Sequence, residues 1–170
     1  MIWLFWIVLT TVLLFAFVVF FGAPYVPSKK RDLAKAFDEL YSLGSKDLLV
    51  DIGSGDGIVL RLATRKGARA VGYEINPILV ILSKFLCRSQ SLIDIRLKNF
   101  WLAKFPDETT IVYVFGESRD IKKMATKVQN ESNRLEKKIL LMSYGFQVPN
   151  LELIKRNNTH FLYEIKPNSI

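Results

Sequence analysis

Three glycines at alternate positions, between an apolar run and an amphipathic stretch, constrain this chain more than any other feature. The segment Val50-Asp51-Ile52-Gly53-Ser54-Gly55-Asp56-Gly57 ends a continuous apolar run, Leu48 to Ile52, and opens a helical pattern that stops near Gly67. Such a run suits a parallel strand covered on both faces. Glycine is needed where a backbone turns sharply and approaches a ligand, and the N–H groups of the helix that follows are open to an anionic group. The segment therefore reads as a nucleotide-type cofactor loop. Its spacing is D-x-G-x-G-x-G, with Asp51 ahead of the first glycine, whereas the dinucleotide fingerprint is G-x-G-x-x-G.

The rest of the soluble part alternates strand and helix. Asp32 to Leu43 sets Leu33, Phe37 and Leu40 on one helical face, with Gly44 as a stop. Ala70 to Tyr73 gives a second strand, and Asn76-Pro77 caps a helix to about Arg88. Ile93, Ile95 and Leu97 alternate with polar residues as in a strand near a sheet edge, and Thr110 to Phe115 is another buried strand. Asp120 to Glu136 is an amphipathic helix, Ile139 to Met142 a strand, and Leu151 to Ile154 with Thr159 to Ile165 a closing antiparallel hairpin. This order predicts an open, doubly wound α/β sheet of Rossmann-like type, with its ligand at the carboxyl ends of the strands.

From Ile2 to Phe21 only Thr10 and Thr11 are polar, a length that as a helix would cross a hydrocarbon core of about 30 Å. A cleaved signal peptide would want a basic start and a shorter apolar run. The expected organisation is a transmembrane anchor over 1–22, a basic, proline-containing link over 23–31 and one catalytic domain over 32–170. Lys29, Lys30 and Arg31 follow the span and no basic residue precedes it, which places the domain on the cytoplasmic, or matrix-equivalent, face of a single-pass membrane protein. The 24 Lys and Arg residues against 16 acids give a net charge of +8, all after residue 28. That balance fits a solvated basic surface or attraction to anionic lipid. No run of basic residues interleaved with aromatics supports nucleic acid as a partner. Cys87 and His160 are each alone of their type, so one chain can build neither a disulfide nor a Cys/His zinc site, and no metal is expected. Cys87 reads as a small buried filler and His160 as a surface or satisfied histidine.

Chemistry concentrates at the strand ends. The D-x-G-x-G-x-G pattern resembles motif I of the class I S-adenosylmethionine-dependent methyltransferases. Gly53, Ser54, Gly55 and Gly57 would pass under the methionine part of that cofactor, and Asp51 would help hold its cationic end. Glu74, 17 residues past Gly57 and at the end of the second strand, is placed to accept both ribose hydroxyls. Asn99, at the end of the third strand, stands where such enzymes commonly carry an acid against the adenine amino group. Phe100 or Ile75 would pack on the adenine face or in the core. Glu117, after the fourth strand, would orient an acceptor amine or is a solvated acid near a helix start. The Asn/Asp-Pro-Pro-Tyr-type motif often found there in nucleic-acid amino-methylases is absent.

A closer resemblance combines the apolar N-terminal run with Pro24-Tyr25-Val26-Pro27-Ser28, the glycine loop, Val71-Gly72-Tyr73-Glu74-Ile75-Asn76-Pro77, Trp101 and Phe115-Gly116. These segments resemble the membrane-anchored protein-lysine methyltransferases, which include mitochondrial enzymes acting on the ATP synthase c-subunit and the adenine nucleotide translocase. The resemblance implies S-adenosylmethionine contacts at Asp51, Gly53, Gly55 and Glu74, with Asn99 at the usual acid position and Tyr25 as a lid over the cofactor mouth. It implies methyl transfer to a lysine of a membrane or membrane-associated protein. Glu117-Ser118-Arg119 departs from the proline-containing turn that the family tends to carry there. A small molecule, lipid or RNA acceptor, or a binding module without activity, remains the alternative.

Overall fold

The protein is described from a computed structural model covering residues 2–21, 30–116 and 120–168, with the side chains of the first helix described as far as Leu13. The elements in chain order are α1 (Ile2–Phe21), α2 (Lys30–Glu39), β1 (Leu48–Ile52), α3 (Ile58–Arg65), β2 (Arg69–Glu74), α4 (Pro77–Cys87), β3 (Ile93–Leu97), β4 (Ile111–Phe115), α5 (Ile121–Leu135), β5 (Ile139–Tyr144), β6 (Leu153–Arg156) and β7 (His160–Ile165). The strands form one seven-stranded sheet in the order β3-β2-β1-β4-β5-β7-β6. Strands β1 to β5 run parallel, and β7 is antiparallel to both β5 and β6. This is a Rossmann-like class I methyltransferase fold.

Alternation along the buried strands sorts their side chains between two cores. Leu49 of β1, Ala70 of β2, Ile111 and Tyr113 of β4 and Met142 of β5 join Leu33 and Phe37 of α2, Val59 and Leu60 of α3 and Val80 of α4. Leu48, Val50, Ile52, Tyr73, Val112, Val114 and Leu141 face the other way and join Ile121, Met124 and Val128 of α5. Each fully buried side chain of this size contributes about 1.5–3 kcal/mol. All five residues of β1 are buried, so the central strand has no solvent face.

Several boundaries differ from those expected. Helix α2 ends at Glu39 because the Asp47 carboxylate captures the chain beyond it, accepting from the Gly44 N–H at 2.9 Å and the Tyr41 hydroxyl at 2.9 Å. Strand β5 runs on to Tyr144, which pairs with His160 of β7. The hairpin lies two residues later than expected on its first arm, with a register shift between Leu153 and Lys155. The Asn157 side chain closes its turn by accepting from the Thr159 and His160 N–H groups. The Asn76 cap is formed as expected, its side chain accepting from the Ile78 and Leu79 N–H groups ahead of Pro77.

The expected membrane span is corrected. Among the described residues no helix is long and apolar enough to cross a membrane. The single-pass assignment, the orientation built on it and the membrane as a partner therefore find no support, whereas the fold of the sheet does not depend on them. The link expected over 23–31 falls largely outside the described residues.

Candidate active site

Parallel pairing brings the carboxyl ends of β1, β2, β4 and β5 to one edge of the sheet, and the antiparallel β7 adds its first residue, His160, to that edge. The glycine loop leaves β1 there. Gly53, Gly55 and Gly57 all take positive φ, at 82°, 53° and 77°, which side chains other than glycine rarely tolerate. The Gly53 and Ser54 N–H groups both donate to the Tyr73 carbonyl, at 2.9 and 3.0 Å, so the loop folds back against β2. Gly72 permits that approach: a Cβ on it would stand 2.6 Å from Ser54 Oγ and 2.7 Å from Leu60 Cδ1. A Cβ on Gly53 would meet nothing within 4 Å, so the backbone is open on that side.

Glu74 fastens the loop from the neighbouring strand end. Its carboxylate accepts from the Gly55 N–H at 2.9 Å through Oε2, and from the Ile75 and Asn76 N–H groups at 2.9 and 2.8 Å through Oε1. The side chain is 8% exposed. The predicted ribose ligand is thus also the tether between β2 and the loop, a role the sequence pattern did not suggest. Three of the roughly four lone-pair sites of the carboxylate are thus taken, and Oε2 keeps capacity for one further donor.

Asp51 has the opposite situation. It is 3% exposed, and its Oδ2 has no hydrogen-bond partner among the described residues. Burial, then the charges of Glu74 and Asp56, push its pKa well above the usual carboxylate range. A buried acid oxygen without a partner costs stability. A cationic group beside it would repay that cost, and the Ser54 hydroxyl, also buried and unpartnered, would add a donor. S-adenosylmethionine carries cationic groups, so the donor set fits its methionine end.

The adenine side is less complete. Asn99 Oδ1 accepts from the Trp101 N–H at 3.0 Å and so turns its own loop. Phe100 is half-buried, packs against the α5-side core and lies with its ring centroid 4.4 Å from that of Trp101. Ile75 is exposed rather than in the core. Tyr25 and Glu117 lie outside the described residues. Cys87 is buried, and burial first of all pushes its thiol up, as expected of a filler. A cleft of about 410 Å³ lined by Leu40, Tyr41, Thr110, Lys138 and Glu164 lies at the opposite end of the strands and contains none of the predicted site residues.

His160 is satisfied rather than superficial. It is fully buried, with Nε2 at 3.1 Å from the Tyr113 hydroxyl and Nδ1 at 2.9 Å from the Thr159 hydroxyl. Burial drives its pKa down to about 4, against a smaller opposing effect of the Asp32 charge, so the ring is neutral at pH 7. Sequence reasoning found no partner for it because Tyr113 is 47 residues away, on a strand two places across the sheet.

Comparison with known proteins follows the same geometry. The chain is 30% identical over 130 residues to an ATP synthase C-subunit lysine N-methyltransferase from Xenopus laevis, covering 75% of this chain and 55% of that protein. It is 30% identical over 111 residues to the Homo sapiens protein of the same name, covering 64% and 46%. The chain thus spans about half the length of these relatives. Among solved structures, an RNA methyltransferase from Salinibacter ruber in complex with S-adenosyl-L-homocysteine superposes with a TM-score of 0.70 at 25% identity, covering 85% of this chain and 96% of that one. The model of the ANTKMT methyltransferase domain matches residues 51–155, from the buried acid of β1 through β6. That match takes in more than half of the 170 residues, and the chain belongs to the ANTKMT methyltransferase domain family.

Proposed function

We propose that this chain is an S-adenosylmethionine-dependent protein-lysine N-methyltransferase. The observation that carries the cofactor half is the unpartnered Asp51 oxygen beside three left-handed glycines at the end of β1. The names of the relatives carry the acceptor half. When bound, the cofactor supplies a methyl group on a sulfonium, which an unprotonated amine takes in line, the S–C electron pair returning to sulfur and the surplus proton of the amine leaving to water.

The work of this chain is then positioning and desolvation rather than covalent catalysis. Asp51 and Ser54 hold the methionine end, Gly53, Gly55 and Gly57 let the backbone come close, and Glu74 accepts from a ribose hydroxyl through Oε2 while keeping the loop on β2. Asn99 and Phe100 border the adenine. On the family resemblance, Glu117 orients the acceptor amine and Tyr25 closes the mouth.

The test is incubation with methyl-labelled S-adenosylmethionine and the purified ATP synthase c-subunit, followed by mass spectrometry of the lysines. The expected result is a methyl mass increment on a lysine, lost in Asp51→Ala. Cofactor binding without label in any protein acceptor would overturn the acceptor half. An RNA acceptor is the second reading, favoured by the 25% identity to the Salinibacter ruber RNA methyltransferase. Label in a cell extract that survives protease and is released by ribonuclease would select it.

A further inference from the structure

Strand β3 leaves one edge of the sheet open. Among the described residues it pairs with β2 alone, in unbroken register. The Ala70 N–H donates to the Leu92 carbonyl and the Lys98 N–H to the Glu74 carbonyl, both at 2.9 Å. Backbone direction alternates along a strand, so Asp94 and Arg96 also turn their peptide groups to β2, and those of Ile95 and Leu97 point outward. The opposite edge is guarded. Strand β6 is four residues long, carries a register shift and ends in the exposed Lys155 and Arg156, devices that keep an edge from pairing with another chain.

The helix above the open edge is apolar on its outward side. α4 packs on β3 and β2 with Val80, Ser83 and Cys87 buried. Ile78, Ile81, Leu82, Phe85 and Leu86 are exposed, Ile81 by 70% and Phe85 by 59%. These positions recur every three or four residues and so form one stripe. Leu97, which shares its face of β3 with the buried Ile95, is also exposed. An apolar surface of this kind marks an interaction site.

The charges of β3 select the occupant. Two copies of the strand joined antiparallel about a two-fold axis must set outward peptide groups against outward ones. A centre at Asp94 or at Arg96 sets that residue against its own like charge. A centre at Ile95 sets Asp94 opposite Arg96 of the second copy, twice, and Ile93 opposite Leu97, twice. In the single chain Arg96 Nε lies 2.7 Å from Asp94 Oδ2, with both side chains about half exposed, so both charges are within reach of a partner. Helix spacing agrees. Because α4 lies over β3 and β2, copies joined at β3 bring their α4 helices about two strand spacings apart, or roughly 10 Å, the distance at which helices pack.

We propose that β3 and α4 form a docking face for a second copy of this chain. β3 pairs with its counterpart about Ile95, which joins the two sheets, and the α4 stripes pack on each other. Lys84 and Arg88 beside the stripe would also suit an anionic lipid surface, but lipid gives no reason for an edge strand whose charges complement themselves.

The test is the mass of the full chain by light scattering over a concentration series, for the unaltered chain, Asp94→Arg, Arg96→Asp and an equal mixture of the two variants. The unaltered chain is expected to dimerise. Each exchange sets like charges opposite each other at two places and should weaken the dimer by about tenfold or more. The mixture should restore it, because every Arg then faces an Asp. Phe85→Glu should weaken the dimer through the stripe. Thermal melts report whether each variant folds. Should an exchange unfold the chain, Asp94→Cys mixed with Arg96→Cys carries the same test: disulfide-linked dimers should form in the mixture and not in either variant alone, because positions 94 and 96 face each other and not themselves. A monomeric unaltered chain, association indifferent to the exchanges, or a mixture no tighter than its components would overturn the face. Binding of a monomeric chain to phosphatidylserine vesicles, lost in Phe85→Glu, would overturn it in favour of lipid.

Discussion

Asp51 is held at a cost that only a ligand removes. Its folded pKa lies above the ordinary 3.8, so its contribution to stability is complete below that value and is lost as pH rises through the folded pKa. Ionising it in the cofactor-free protein is therefore disfavoured. Asp51→Asn should therefore raise the thermal midpoint of the cofactor-free protein at pH 7, by on the order of 1 kcal/mol, with no gain near pH 3, and should weaken cofactor binding. A midpoint that falls at pH 7 would show that the acid is already paired. His160 has the reverse sign. Its folded pKa of about 4 lies below the ordinary 6.5, so its contribution is present above pH 6.5 and fades as pH falls toward 4, by roughly 3 kcal/mol. Melts of the unaltered chain and His160→Gln across that window should differ in slope, the variant being flatter, and Asp51 cancels because both proteins carry it. The placement of Asp51 and Glu74 at strand ends beside the glycine loop was legible because strand-end acids around such a loop recur at fixed spacing. That one would be unpaired and the other tied by three amides was not legible, because it depends on backbone direction rather than residue type.

At the scale of elements, α5 is fastened to the loop between β3 and β4 through one buried acid. Glu131 is 4% exposed and accepts from Lys127 at 2.7 Å, Arg134 at 2.8 Å and the Phe105 N–H at 3.1 Å. Burial alone would raise its pKa, but the bonds from Lys127, Phe105 and Arg134 outweigh it and leave the carboxyl below its usual value. Its stabilising effect is thus present above the ordinary carboxylate pKa and lost as pH falls through the lower folded one. Removing one partner of such a cluster typically costs about 3–5 kcal/mol. Glu131→Ala should cost that much in urea unfolding at pH 7 and loosen the segment from Ala103 to Asp107, read as faster amide exchange at Phe105. The helix itself was legible from the stripe of Ile121, Met124, Ala125 and Val128. Glu131 was not, because a polar residue on an amphipathic helix is ordinarily solvated, and its partner at Phe105 comes from a loop without periodicity. The early end of α2 was hidden for a similar reason: Asp47, which captures the chain after it, lies beyond the apolar pattern that marks the helix.

For the whole molecule, the order of strands and helices was readable because buried parallel strands leave continuous apolar runs, and the glycine loop located the functional edge. The apolar N-terminal stretch was read by length alone, which is the step that its described residues do not support. What the fold as a whole must do is link ligand binding to stability. The Glu74 tether, the left-handed glycines and the unpaired Asp51 all belong to one loop between β1 and α3, so a ligand that satisfies Asp51 stabilises the folded state against the unfolded one. S-adenosylhomocysteine at a hundred times its Kd should add about 2.7 kcal/mol, or roughly 5–10 °C in the thermal midpoint of a domain of this size. At that same ligand concentration the increment should shrink in Asp51→Asn, because that variant no longer has a carboxyl at the end of β1 for the ligand to satisfy. An equal increment in both proteins would mean that the loop holds its ligand through backbone contacts alone, and that the buried acid of β1 serves some purpose other than holding the cationic end of the cofactor.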